Sequence, residues 1–167
     1  MQIRILTESD ARNYQILRLE ALQTNPESYS STYEKEIQYT TDMVKERIRP
    51  DQEKFVLGAF DEGSLVGVAR YVREAGSKMK HRANIYGMYV SPVMRGRGVA
   101  KALLLEIINR AKKEDGVEQI HLQVVSTNVS AKKLYQSLGF ETYGVEPNAL
   151  KSNNQYYDED FMVLFLN

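Results

Sequence analysis

The 167-residue chain contains no cysteine, which excludes disulfides, thiolate metal sites and a thiol nucleophile that would carry an acyl group. Any group transfer would be direct. Only two histidines occur, His81 and His121, separated in sequence and without ligand spacing, so no metal site is expected. Neither sign of charge is in surplus, because 22 basic side chains face 22 acidic ones. Without an overall field there is nothing to draw nucleic acid or an anionic membrane, and any anion site must be local. No run of about 18 apolar residues is long enough for a bilayer, and the opening MQIRILTESD lacks the basic-then-apolar pattern of a signal peptide. A cytoplasmic protein is expected. At this length roughly 70% of the unfolded chain's surface can be buried, enough for one domain over 1–167.

What the chain does have is a series of well-punctuated apolar segments. Residues 2–6 read as a short strand, and Thr7 with Asp10 resembles a capping box opening a helix to about Leu22. Asn25-Pro26 ends it, and the polar stretch 28–36 reads as a loop before a second helix over 41–48 that Pro50 stops. Runs 54–60 and 65–73 are apolar and β-branched, and Asp61-Glu62-Gly63-Ser64 joins them as an antiparallel hairpin. After a charged loop, 74–82, comes a strand over 83–90 whose extent Pro92 limits. Val99, Leu103, Leu104, Ile107, Ile108 and Ala111 keep a helical period on one face, and 117–125 reads as a buried strand. Strand, helix, strand in that order implies a right-handed parallel crossover. Asn128 can cap a further helix with Ala131, Leu134, Tyr135 and Leu138 on one face and Gly139 closing it. Two last strands, 140–145 and 156–166, flank a loop containing Pro147 and Asn153-Asn154. The order is β α α β β β α β α β β, with no repeat and no linker.

The segment Arg95-Gly96-Arg97-Gly98-Val99-Ala100-Lys101 lies between a strand and a helix and reads as a phosphate cradle. Glycines at 96 and 98 allow backbone conformations closed to other residues and let a ligand approach main-chain N–H groups. The first turn of the helix leaves such groups unpaired and places the positive end of its dipole there. Arg95, Arg97 and Lys101 add full charges. A nucleotide P-loop would need Gly-Lys-Ser/Thr after a four-residue spacer, which is missing. A dinucleotide fingerprint would need Gly or Ala where Lys101 stands.

Val90 followed by Arg95-x-x-Gly98-x-Ala100, together with Asn128-x-x-Ala131-x-x-x-Tyr135-x-x-x-Gly139-Phe140, resembles the GNAT superfamily of N-acetyltransferases. The first matches that family's Gln/Arg-x-x-Gly-x-Gly/Ala pyrophosphate signature, and the second its Asn…Ala…Tyr…Gly-Phe segment. The closing stretch 156–162 is similar to the family's last strand. The resemblance implies an α/β fold: a mixed, mostly antiparallel sheet of about seven strands with a splayed parallel central pair and about four flanking helices. It further implies acetyl-CoA as acyl donor, held where the two parallel strands splay. Met88, Tyr89 and Val90 would present the strand edge to the pantetheine arm, 95–101 (including Val99) would hold the pyrophosphate, and Asn128 would reach the pantetheine or thioester. Tyr135 would be the acid that protonates the departing thiolate, since a phenol with a reference pKa near 10 stays protonated at neutral pH.

The family's general base has no equivalent on the strand before Asn128, because Gln123 stands there and an amide accepts no proton usefully. A carboxylate elsewhere or a water chain would then serve, or the amine would arrive already neutral; Glu34, Glu36 and Asp158 are candidate carboxylates, each of which reads equally as a solvated loop or strand-edge charge. Tyr29, Ser30, Ser31, Tyr33 and Glu34, with the loop 148–154, would shape a pocket for a primary amine of a small molecule, amino acid or peptide. A non-catalytic acyl-CoA-binding module is the alternative that Gln123 raises, and a homodimer is compatible with the family.

Overall fold

A computed structural model describes all of residues 1–167. Its seven strands are β1 (Gln2–Ile5), β2 (Lys54–Asp61), β3 (Ser64–Arg73), β4 (Arg82–Val90), β5 (Gln119–Val125), β6 (Glu141–Ser152) and β7 (Gln155–Phe165). They form one sheet in the order β1-β2-β3-β4-β5-β7-β6. Every neighbouring pair is antiparallel except β4–β5, the pair that the crossover joins. Helices α1 (Ala11–Thr24), α2 (Tyr33–Glu36), α3 (Thr41–Ile48), α4 (Val99–Lys113) and α5 (Val129–Ser137) cover the two faces.

The helical period of α4 explains its docking. Val99, Leu103, Leu104, Ile107, Ile108 and Ala111 are all buried, in a cluster with Leu57, Ala69, Tyr71, Ile85 and Ile120 from the sheet and Tyr135 and Phe140 around α5. Each such aliphatic side chain contributes about 1.5–3 kcal/mol by leaving water. On the opposite face Tyr14, Leu17 and Ala21 of α1 and Val44 and Ile48 of α3 pack over Val56, Phe60 and Val68.

The parallel pair is short. β4 and β5 are in register only at Arg82↔Gln119, Ala83↔Ile120 and Asn84↔His121, after which they part. The cause lies in β4. Its pairing with β3 passes from Arg70↔Tyr86 to Val68↔Tyr89, so Gly87 and Met88 together face Ala69 as a bulge. Gly87 takes φ +57, a conformation that favours glycine, and a bulge of this kind bends its strand.

Two segments differ from their sequence reading. Residues 33–36, expected as loop, form the single turn α2, with the Thr32 hydroxyl accepting from the Lys35 N–H at 3.2 Å. This makes five helices where about four were expected. The strand expected to stop at Val145 continues to Ser152. Pro147, which has no N–H to give a ladder, sits in a register break between Glu146 and Leu150, where Asn148 at φ +52 donates its N–H to the Asp158 carboxylate at 2.8 Å. Asn153 and Asn154, both at positive φ, then make the two-residue turn into β7.

A buried ion cluster fixes α1, α2 and α3 to one another. Glu36, 1% exposed, accepts from Arg18 Nε at 2.9 Å and Nη2 at 3.0 Å, and from Arg47 Nη1 at 3.1 Å. Burial pushes the Glu36 carboxyl up, but the hydrogen bonds and charge of Arg18, with the charge of Arg47, leave it below the usual range. A depressed carboxyl adds stability above its unfolded pKa of about 4.3 and loses it as pH falls through the lower folded value. Glu36→Ala strands Arg18 without a partner and is expected to lower unfolding free energy by about 3–5 kcal/mol in urea titrations at pH 7. The difference between variant and parent should shrink below pH 4.

Candidate active site

β4 ends at Val90, the turn Pro92–Met94 follows, and α4 starts at Val99 with Gly98 as its cap at φ +78. Gly96 takes φ +74, and a Cβ at either glycine would meet nothing within 4 Å, so backbone handedness rather than space requires glycine there. From residue 96 to residue 101 no main-chain N–H has a partner within the protein, and the helical ladder opens with Ala102 N donating to Gly98 O at 3.0 Å. Six consecutive donors at the positive end of a 15-residue helix, with Arg97 and Lys101 exposed beside them, make a site suited to an anion. Val99 is buried in the core and Ala100 half-buried. The guanidinium of Arg95 is engaged elsewhere. Its Nε donates to Val90 O at 3.2 Å and its Nη2 to Asn25 Oδ1 at 2.9 Å, tying the end of β4 to the end of α1.

Beyond the last β4–β5 pair, Met88 of β4 meets Tyr29 and Tyr135. The Tyr29 hydroxyl donates to Met88 O at 3.0 Å, and the Tyr135 hydroxyl points at Met88 Sδ, 3.7 Å away. Tyr135 is only 8% exposed, and its ring meets Phe140 edge-on at 5.9 Å. Burial pushes its phenol up to about 12. Tyr29 is also pushed up by burial, with the positive charge of Arg18, 4.8 Å above its ring, opposing that. The position of Tyr135 follows from how α5 is held. Asn128 Oδ1 accepts from Ala131 N at 3.2 Å, and buried Asp160 accepts from the Ser126 hydroxyl and from Lys132 Nζ at 2.7 Å, fastening the start of α5 to β7. Tyr89 and Val90, by contrast, are buried, and the Tyr89 hydroxyl donates to Glu20 Oε1 at 2.9 Å.

Compared with known proteins, residues 3–161 match the model of the acetyltransferase (GNAT) domain. The chain belongs to the GNAT acetyltransferases. It is 29% identical over 161 residues to the L-amino acid N-acetyltransferase AaaT of Escherichia coli strain K12, covering 95% of each chain. Its fold is similar to that of a GNAT-family acetyltransferase from Streptococcus pneumoniae, with TM-score 0.88, 20% identity and 99% of each chain covered. It is also similar to yncA from Salmonella typhimurium, solved with its cofactor acetyl-CoA, at TM-score 0.83 and 21% identity over 100% of this chain and 94% of that one. The seven-stranded mixed sheet with β4 and β5 parallel is the GNAT fold, and the family is acetyl-CoA-dependent. No helix is long and apolar enough to cross a membrane.

The other candidate residues of this GNAT chain are spread over α2 and the strands β5, β6 and β7. Ser31 and Tyr33 are half-buried and Glu34 exposed, on the approach to and within α2. Gln123 is exposed on β5. Glu36 is locked between arginines and Asp158 braces the β6 bulge, so neither is poised to take a proton. Glu159 is the carboxylate that sequence reasoning missed. It is paired with Val125 at the end of β5 and with Glu146 of β6. Burial, and then the charge of Glu146, raise its pKa. Six residues on from the Arg82↔Gln119 pair stand Met88 and Val125, so Glu159 lies about level with Met88 across the gap. No periodicity marks it, because its environment comes from β6 and from the end of β5.

The Tyr135 hydroxyl should remain protonated throughout the working range. NMR titration of the ring-labelled tyrosines should find its signal unmoved up to pH 11, and a signal that shifts well below that would overturn this.

Proposed function

We propose that the chain transfers the acetyl group of acetyl-CoA directly to a primary amine of a small molecule, an amino acid or a peptide N-terminus. The observation that supports this reading is the buried Tyr135 hydroxyl, whose one partner is the sulfur of Met88, a β4 residue beyond the last β4–β5 pair. Acetyl-CoA supplies an acetyl group activated as a thioester. The N–H groups of 96–101, aided by Arg97 and Lys101, would hold its pyrophosphate, and the edge of β4 at Met88 would pair with its amide-bearing arm as an added strand does. Asn128 keeps its amide NH2 for that arm while its oxygen caps α5. Arg95 acts at one remove, by holding the turn against α1.

Tyr135 delivers its proton to the departing sulfur. A phenol buried to this degree is a poor anion, so it remains the proton donor at any pH where an amine is nucleophilic. Glu159 accepts the proton of the incoming ammonium. Its raised pKa makes it a better match for that task than an exposed glutamate, and it removes the need for a carboxylate at Gln123. Ser31, Tyr33 and Glu34, at and before the α2 turn, would help shape the acceptor pocket.

Three substitutions test these roles. Tyr135→Phe should lower kcat by about 10²–10⁴ while calorimetric affinity for acetyl-CoA stays near that of the parent. Unchanged turnover would remove Tyr135 from the acid role. Gly98→Val forces a side chain into left-handed backbone at a cost of about 1–2 kcal/mol and should weaken acetyl-CoA binding roughly tenfold. Equal affinity would place the pyrophosphate elsewhere. For Glu159, the parent's kcat/KM should rise as pH climbs through the raised carboxyl pKa. Glu159→Gln should lose that limb and recover activity only at alkaline pH, where the amine arrives neutral.

A further inference from the structure

The chain is neutral overall, yet three arginines converge beneath α1 and α3 where only one carboxylate meets them. Glu36 is fully engaged, by Arg18 through two nitrogens and by Arg47 through a third. Arg70 of β3 forms no ion pair, and its Nε is buried with no hydrogen-bond partner. Burial lowers its pKa and the charges of Arg47 and Arg18 add to that, against a smaller opposing effect of Tyr14 and Tyr86, and no carboxylate is among these neighbours. A guanidinium left in this condition is costly unless a ligand supplies its counter-charge.

The cluster borders the gap. Arg70 pairs across β3–β4 with Tyr86, two residues before Met88, and Arg18 Nη1 lies 3.7 Å from where a Cβ on Gly87 would stand. Arg18 also covers the Tyr29 ring, whose hydroxyl reaches Met88 O. Two residues of strand span about 7 Å. A guanidinium side chain and the single carbon between the amine and carboxylate of an α-amino acid together cover that distance. Arginine also matches a carboxylate through two parallel N–H donors, which a lysine ammonium does not.

We propose that Arg70 is an anion subsite for the acceptor, and that the acceptor is therefore a carboxylate-bearing primary amine of the α-amino acid class. The carboxylate pairs with Arg70, and the amine is presented to the gap between β4 and β5. This inference rests on the acetyl-transfer reading above, and Arg70 serves as a specificity residue that touches the acceptor away from the reacting atoms. A peptide N-terminus carries an amide in place of that carboxylate, so the same contact selects against it.

The test measures thiol release from acetyl-CoA with the proteinogenic L-amino acids, each beside its carboxamide and the amine lacking the carboxyl group. The parent should favour the best amino acid over its amide by roughly 10- to 100-fold in kcat/KM, the range of a charge-assisted hydrogen-bonded pair. Arg70→Gln should abolish that preference by raising KM for the acid, with turnover of the amide unchanged, and Arg70→Lys should restore part of it. Melting temperatures of both variants show that each is folded, and the retained amide activity shows that the catalytic groups are intact. If the parent uses amides as well as acids, or if Arg70→Gln keeps the preference, the inference fails while the transfer reading stands. If no amine releases thiol although acetyl-CoA binds, the transfer reading fails and the inference goes with it.

Discussion

The arrangement of this molecule depends on one interruption, the loss of pairing between β4 and β5 after three residue pairs. A continuous parallel pair would bury that edge in main-chain hydrogen bonds and leave nothing to bind. The bulge at Gly87 and Met88 turns β4 aside, and the crossover helix α4 begins at the same end of the sheet. One backbone event thus sets an unpaired strand edge, the open N-terminus of α4 and the Tyr135 hydroxyl beside one another. The catalytic surface proposed for this GNAT chain is a gap in a sheet more than a pit in a surface.

Charge is arranged with the same economy. Equal numbers of acidic and basic side chains cancel over the molecule, so the local excesses carry the information. On the cradle side the excess comes from main-chain N–H groups with Arg97 and Lys101. On the opposite face it comes from Arg18, Arg47 and Arg70 set against Glu36 alone. Arg18 and Arg47 are structural, since they hold α1, α2 and α3 through Glu36, and that leaves Arg70 free for chemistry. Across the gap, Glu159 and Glu146 supply the opposite sign.

Much of this was legible in the sequence, for identifiable reasons. The apolar period of α4 and the flanking Gly98 specify a helix whose start is open, and both are local properties. Asn128, Tyr135 and Gly139 likewise mark α5 from cap to close. The parallel crossover follows from element order alone. What local pattern could not yield was anything assembled from distant segments. Glu36 read only as a candidate carboxylate in a loop because its partners Arg18 and Arg47 lie in other helices. The tie from Arg95 to Asn25 went unseen because it joins the turn before α4 to the end of α1, 70 residues away. Pro147 read as the end of a strand, whereas a bulge braced by Asp158 lets β6 pass through it. Glu159 and Arg70 carried no motif, and each is defined by the sheet neighbours that bury it.

The central claim is that the N–H groups of 96–101 and the β4 edge at Met88 together receive the acyl donor. Amide hydrogen exchange with and without coenzyme A tests it most directly. The account predicts that these groups, of which those of 96–101 have no main-chain partner within the protein, become protected together when coenzyme A is added at saturating concentration. Protection confined to other segments, or none at residues 96–101, would contradict it.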